Sequence, residues 1–276
     1  MTDKNRNLVI RIGSALVLLP VVLMLLYQGG YWAAGLLGFA AAACTQEYLS
    51  IVLKSLSPVA WFTVALAGVM PFLPVVAPNT SSQLALGLIG LVLFSGWIWH
   101  LWKGPLPEAP VRTAHLLTAF VYGSGGLTAL AALRQVGDGG WWVVASLVIT
   151  WGNDTAAYFF GRLFGKHRLY PEVSPNKTWE GFAGGIVGSV GFLFIQRQFF
   201  FHSLTVVDCL VLGGLASVLG PAGDLCESML KRAYSVKDSG RIIPGHGGML
   251  DRIDALIFNA PMVLLYVQFG RSLLVG

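Results

Sequence analysis

Charge is scarce in this sequence: 11% of its 276 residues are charged, against about 25% in a soluble globular protein. That scarcity excludes an ordinary water-soluble domain. Cysteine is scarce too. The three present, Cys44, Cys209 and Cys226, fall inside apolar segments without CxxC spacing, which supports neither a disulfide framework nor a zinc site. A soluble basic domain and a basic patch interleaved with aromatics are both missing, so the net charge of +5 is no argument for nucleic acid as a partner. No internal repeat is visible, which removes the symmetry argument for an inverted-repeat transporter.

Hydrophobic residues make up 55% of the chain and the mean hydropathy is +0.69. Apolar segments of about 20 residues recur throughout, the length of a bilayer-crossing helix rather than the roughly ten-residue alternation of a membrane barrel. The expected fold is all-α: a polytopic integral membrane helical bundle of about nine transmembrane helices, over 8–27, 31–53, 59–77, 84–102, 112–134, 141–162, 179–200, 205–227 and 251–270. The first segment follows Lys4, Arg6 and Arg11 as a signal peptide would. It is long and has no convincing cleavage site, so it reads as a retained helix.

The cations orient the bundle. With the N-terminus in the cytoplasm, 15 Lys and Arg residues fall inside and three, Arg134, Arg197 and Arg271, fall outside; cations near span ends are retained on the cytoplasmic side. Two longer inner loops, 163–178 and 228–250, hold most of the polar residues, so chemistry is expected to face the cytoplasm. The chain reads as a single membrane domain over 1–276, with a helical scaffold to residue 140 and catalytic helices and loops over 141–276. Glu47 is the main ionisable exception in the scaffold. Tyr31, Trp32, Trp97, Trp99, Trp102, Trp141 and Trp142 lie at span ends and read as interfacial anchors. Short inner loops and the absence of a transit-like N-terminus point to a bacterial cytoplasmic (inner) membrane.

In the second half, ionisable residues enter or border the spans, where they are costly unless they serve a polar cavity, a partner or an ion. Asp224, Glu227, Ser228 and Lys231 follow i, i+3, i+4, i+7 and share one helix face. Asp251 and Asp254 share another, just after Gly247-Gly248. Two helices thus offer carboxylates to one hard cation, and with all-oxygen ligands magnesium suits the site better than zinc. The bland alternative for Asp251 is a helix-capping carboxylate, and for Glu227 a local pair with Lys231.

Between them lies the densest charge in the chain: Lys231, Arg232, Lys237, Asp238, Arg241 and Arg252 around Pro244-Gly245-His246-Gly247-Gly248. Glycine backbone N–H groups approach an anion closely, and His246 either bonds phosphate, donates a proton or fixes the loop. In the other inner loop, Ser174-Pro175-Asn176-Lys177 reads as a cap and first-turn proline that place Lys177 at a helix entrance, a plausible anion site. Asn153 and Asp154 put a carboxamide and a carboxylate inside an apolar span, for substrate contact or for interhelical hydrogen bonds. Gly181, Gly184, Gly185 and Gly188 form a close-packing face for an internal or a dimer contact.

These residues resemble a known family, the integral membrane phosphatidate cytidylyltransferases, or CDP-diacylglycerol synthases. The resemblance rests on Ser228, Leu230, Lys231, Arg232, Lys237, Asp238, Gly240, Ile243, Pro244, Gly245, His246, Gly247, Gly248, Met249, Asp251, Arg252, Ile253 and Asp254 at fixed spacing, with SPNKTWEG at 174–181 and the GND…AY…G stretch upstream. It covers roughly 150–255 and implies transfer of CMP from CTP to phosphatidate, with magnesium and, as a further expectation of the family, a potassium ion beside it, in a membrane-embedded homodimer. Asp224 and Asp251 would hold magnesium. Lys231, Arg232, Lys237 and Arg252 would offset charge, and Ser228, Asn176 and Lys177 would orient a substrate. Asp238 and Asp254 would support them. An ion-coupled transporter and a CTP-dependent lipid-alcohol kinase are the competing readings.

Overall fold

A computed structural model describes residues 19–243 and 247–274. Its helices are α1 (Leu19–Gln28), α2 (Gly30–Leu53), α3 (Pro58–Val69), α4 (Leu73–Val76), α5 (Ser81–Lys103), α6 (Ala109–Leu133), α7 (Gly139–Phe164), α8 (Trp179–Phe199), α9 (Val206–Ala233), α10 (Leu250–Leu265) and α11 (Arg271–Leu274). A short antiparallel hairpin, β1 (Arg168–Tyr170) and β2 (Ser174–Thr178), joins α7 to α8. Six helical stretches among the described residues are long and apolar enough to cross a membrane. They coincide with six of the expected spans, and the chain is an all-α membrane protein. The expected first span is described only from Leu19 onward. The spans expected near 141–162 and 179–200 are the helices α7 and α8, which fall outside that six.

The chain forms two compact units. One comprises residues 1–135 with 234–253, and the other 136–233 with 254–276. The segment 234–253 groups with the N-terminal helices.

In the first unit, α2 packs on α3 and α6. The approach is close at Gly123, where any Cβ would collide with Thr45. Ser57 accepts a hydrogen bond from Ala60 N at 3.4 Å and Pro58 fills the first helical position of α3, a regular helix start. The third expected span is interrupted: Pro71 and Pro74 remove backbone donors, and the chain passes through a tight turn at Met70–Phe72 before α4. The segment Ser239–Leu250 is held on α2 by Glu47, which is buried. Its Oε1 accepts from Met249 N at 2.9 Å, and its Oε2 from Leu250 N at 2.9 Å and Ser239 Oγ at 3.0 Å.

In the second unit, α7 and α8 lie side by side because α8 presents glycine. A Cβ at Gly184 would run into Phe160, at Gly185 into Asn153, and at Gly188 into Ala156. The small-residue face is therefore used internally. The hairpin corrects one expectation. Ser174 is not a helix cap but the first residue of β2, opposite Tyr170, since a residue before proline is driven to extended backbone. Thr178 takes the capping role, its Oγ1 accepting from Gly181 N at 3.1 Å. Trp142 is likewise not an interfacial anchor. It is buried against Phe201, ring centroids 4.9 Å apart, whereas Tyr31, Trp32, Trp97, Trp102 and Trp141 are exposed as expected.

Arg271, one of the three cations expected on the outer side, is tied down. Its Nη2 donates to Ser203 O at 2.6 Å and lies 3.3 Å from Asp208 Oδ2, and its guanidinium stands 5.1 Å from the Trp142 ring. Asp208 also accepts from Thr205 N and from Tyr266 OH, both at 2.7 Å. Asp208→Ala is expected to lower stability by about 2–4 kcal/mol through the donors it strands, with Asp208→Asn losing less. Thermal unfolding in detergent checks the order. Glu47→Ala strands Met249 N and Leu250 N and is expected to cost about 2–4 kcal/mol. Faster proteolysis within 239–250 than in the parent is the readout, and equal rates would contradict the clasp.

Candidate functional site

A cavity of about 500 Å³ opens in the second unit. Helix α7 contributes Asn153, Asp154, Tyr158 and Arg162, the hairpin Arg168, Asn176 and Lys177, the start of α8 Gly181 and Phe182, and α9 Pro221 and Asp224. The helix period explains the α7 set: Asp154, Tyr158 and Arg162 are four apart and lie on one face. The hairpin is fixed at its base by Glu180, whose carboxylate accepts from Lys166 N at 3.1 Å and His167 N at 3.3 Å and meets His167 Nδ1 at 2.7 Å. This clasp sets where the lysine three residues earlier can reach.

Lys177 Nζ lies 2.7 Å from Asp224 Oδ2 and donates to Pro221 O at 3.4 Å. Ser228 Oγ donates to Asp224 Oδ1 at 3.2 Å. Asp224 is therefore held by a cation on one oxygen and a hydroxyl on the other. Asp154 and Asp254 both feel the negative charge of Asp224, and Asp254 feels that of Asp154. Asp154 and Asp224 line the cavity, and Asp254 lies within electrostatic reach of both. Asn153 donates to Ser189 Oγ at 3.2 Å, while its buried Oδ1 finds no partner among the described residues.

Of the site residues expected from sequence, Asn153, Asp154, Asn176, Lys177 and Asp224 meet in this cavity. Ser228 joins through Asp224. Lys231 takes the local option, its Nζ 2.5 Å from Glu227 Oε2, and Arg232 Nε reaches Val173 O at 3.5 Å. Ser174 is not among the residues lining the cavity.

The first unit carries the other expected residues. Asp251 Oδ2 accepts from Ser239 N at 2.9 Å, Ser239 Oγ at 2.9 Å and Gly248 N at 3.0 Å; these donors precede α10, so the carboxylate fastens the loop ahead of the helix. Gly247 has φ +87°, a conformation suited to glycine, and a Cβ there would come within 3.1 Å of Asp251 Oδ2. Ile243 N donates to Gly247 O at 3.0 Å. Lys237, Asp238 and Arg252 are exposed. His246 lies outside the described residues, as do Pro244 and Gly245.

Two lining residues, Arg162 and Arg168, were counted in the sequence only as cytoplasmic cations. For Arg162 the signal was available, eight residues from Asp154 on one helix face; for Arg168 it required knowing the hairpin.

Comparison with known proteins adds a second line. The profile of the Cytidylyltransferase family matches residues 9–270. A phosphatidate cytidylyltransferase of Staphylococcus haemolyticus (strain JCSC1435) is 34% identical over 263 residues, 94% of this chain and 99% of the relative. One of Bacillus subtilis (strain 168) is 46% identical over 122 residues, 44% of this chain and 45% of the relative. With most of its length inside the profile, and with the motif residues Asn176, Lys177 and Asp224 converging on one cavity, the chain belongs to the Cytidylyltransferase family.

Proposed function

We propose that the protein transfers CMP from CTP to phosphatidate, giving CDP-diacylglycerol and pyrophosphate. The observation that carries the reading is the cavity in which Asp154, Asn176, Lys177 and Asp224 converge from α7, the hairpin and α9. The names of the relatives in Staphylococcus haemolyticus and Bacillus subtilis support the same substrates. A phosphate oxygen of phosphatidate attacks the α-phosphorus of CTP, and the bond from that phosphorus to the bridging oxygen breaks as pyrophosphate leaves. The lipid brings its own nucleophile, so no covalent enzyme intermediate is needed, and catalysis is positioning and charge compensation.

Magnesium is the proposed cofactor. Among the described residues no group of three His, Cys, Asp or Glu side chains forms a metal cage. Magnesium commonly takes one or two carboxylates, with waters and substrate phosphates completing its shell, so the carboxylate oxygens of Asp224 suit it without a protein cage. When bound, the ion supplies charge neutralisation at the nucleotide phosphates. Asp224 is the proposed ligand in the cavity, with Asp154 and Asp254 beside it, and on the sequence pattern Asp251 is its proposed partner. Lys177 restrains Asp224 in the ion pair and Ser228 orients its second oxygen. Lys231, Arg232, Lys237 and Arg252 are proposed to offset developing charge, Asn153 and Asn176 to contact substrate, and Gly247 and Gly248 to offer backbone N–H groups. Asp238 and His246 are proposed as supporting groups, and potassium as a possible second ion.

The setting follows from the substrates. The acyl chains of phosphatidate stay in the bilayer while its headgroup enters from the side, and CTP arrives from the cytoplasm. The proposal includes nine crossings with the N-terminus inside, a bacterial inner membrane and a homodimer.

Supplied with phosphatidate and CTP labelled in the cytidine moiety, the detergent-solubilised protein is expected to move label into lipid as CMP, with loss of the product on chelation of magnesium. A labelled lipid alcohol phosphate would instead identify a kinase, for which γ-phosphate label serves. Asp224→Asn and Asp251→Asn are each expected to reduce magnesium-dependent turnover by at least about a hundredfold, on the scale of losing a preorganised charge, with unfolding temperatures near that of the parent. Near-normal turnover in either variant removes that residue from the metal assignment.

A further inference from the structure

Three cations line the cavity: Lys177, Arg162 and Arg168. Lys177 is committed, 2.7 Å from Asp224. Arg162 donates from Nη1 to Tyr158 OH at 3.0 Å, one helical turn back. Arg168 sits in β1, its backbone opposite Thr178. Among the described residues neither arginine is in an ion pair. Along α7, Asp154 and Arg162 stand two turns, about 12 Å, apart on one face. The cavity lining thus separates the carboxylates Asp154 and Asp224, which interact with each other, from Arg162, which with Arg168 is in no ion pair among the described residues.

We infer that Arg162 and Arg168 form the subsite for the phosphomonoester headgroup of the lipid substrate; the inference rests on the proposed reaction and assigns residues that its motifs leave out. The charge matches. A phosphomonoester carries between one and two negative charges near neutral pH, and paired guanidinium groups grip such an oxyanion through several charge-assisted hydrogen bonds. The carboxylate end repels a bare anion and suits a triphosphate that brings a metal ion. The headgroup that comes without a metal therefore belongs at the arginines. The surroundings match as well. Phe159, Leu163 and Phe164, next to Arg162 along α7, are 55%, 71% and 57% exposed, an apolar surface of the kind that acyl chains cover. Tyr158, whose hydroxyl accepts from Arg162, holds that guanidinium at the cavity wall. Arg162 and Arg168 would bind the attacking phosphate while Lys177 and Asp224 stand on the nucleotide side.

The test separates the two substrates and uses the full chain in nonionic mixed micelles. Phosphatidate is varied at saturating CTP, and CTP at saturating phosphatidate. Arg162→Gln and Arg168→Gln are each expected to raise the KM for phosphatidate about tenfold, the worth of one charge-assisted hydrogen bond, and to leave the KM for CTP unchanged. Lysine at either position recovers part of the loss, since the charge remains and the planar fork is gone. An unchanged KM for phosphatidate, or an equal rise for CTP, overturns the subsite. Binding of dioctanoyl phosphatidate in the absence of nucleotide provides a second readout, with weaker binding expected in both glutamine variants. If that binding depends on the arginines but the parent transfers no CMP, the proposed reaction fails and the subsite stands. If the parent transfers CMP and both variants keep the parental KM and affinity, the subsite fails and the reaction stands.

Discussion

The ion pair between Lys177 and Asp224 is the contact on which the arrangement of the second unit's cavity turns. A carboxylate at the end of an apolar helix is costly unless a cation or a donor answers it, and here both do, at 2.7 Å from the lysine and 3.2 Å from Ser228. The same requirement recurs through the molecule. Glu227 has Lys231, Asp208 has Arg271 with Tyr266 and Thr205, and Glu47 has the backbone of Met249 and Leu250. Because the scaffold supplies so few charges, these buried carboxylates each meet a cation or a donor, whereas the exposed Arg162 and Arg168 are in no ion pair among the described residues.

The two kinds of pairing have different consequences. At Asp208 the partners are backbone, hydroxyl and guanidinium groups that together tie the last helical turns to the start of α9. That is a structural fastening. At Asp224 the partners are a lysine side chain and a hydroxyl, which in the proposed reaction a phosphate and a metal ion would replace, and the neighbouring carboxylates Asp154 and Asp254 would favour a cation arriving with the nucleotide. Two ion pairs in one membrane protein thus differ in how easily a ligand can replace one of the partners.

Most of the architecture was legible in the sequence because hydropathy reports burial in lipid directly, and the long apolar runs had the length of a bilayer-crossing helix. The convergence of Asn153, Asp154, Asn176, Lys177 and Asp224 was legible as well, since intramembrane polar residues have few bland uses. What escaped was information that local spacing does not carry. The partners of Glu47 lie 192 to 203 residues away, so its role was visible only as an exception to an apolar half. The hairpin escaped because SPNKT has the proline and serine of a helix start, and pairing with 168–170 decides otherwise. Trp142 was misplaced because its position near a span end looks the same whether the ring faces the interface or Phe201. Arg162 and Arg168 were absorbed by the charge asymmetry, which explains any single cytoplasmic cation equally well.

The clasp that Glu180 makes with Lys166 and His167 has an entropic side. A lysine on a free loop of this length would lose chain and rotamer freedom each time a phosphate bound. Here the segment from 166 to 180 is closed by those hydrogen bonds at one end and by strand pairing between Arg168 and Thr178 within it. The backbone freedom is given up once, when the chain folds, and the same restriction then serves every turnover. A pair of strands too short to stand alone thus becomes, in a helical protein, an arm that keeps its lysine in place before any anion arrives.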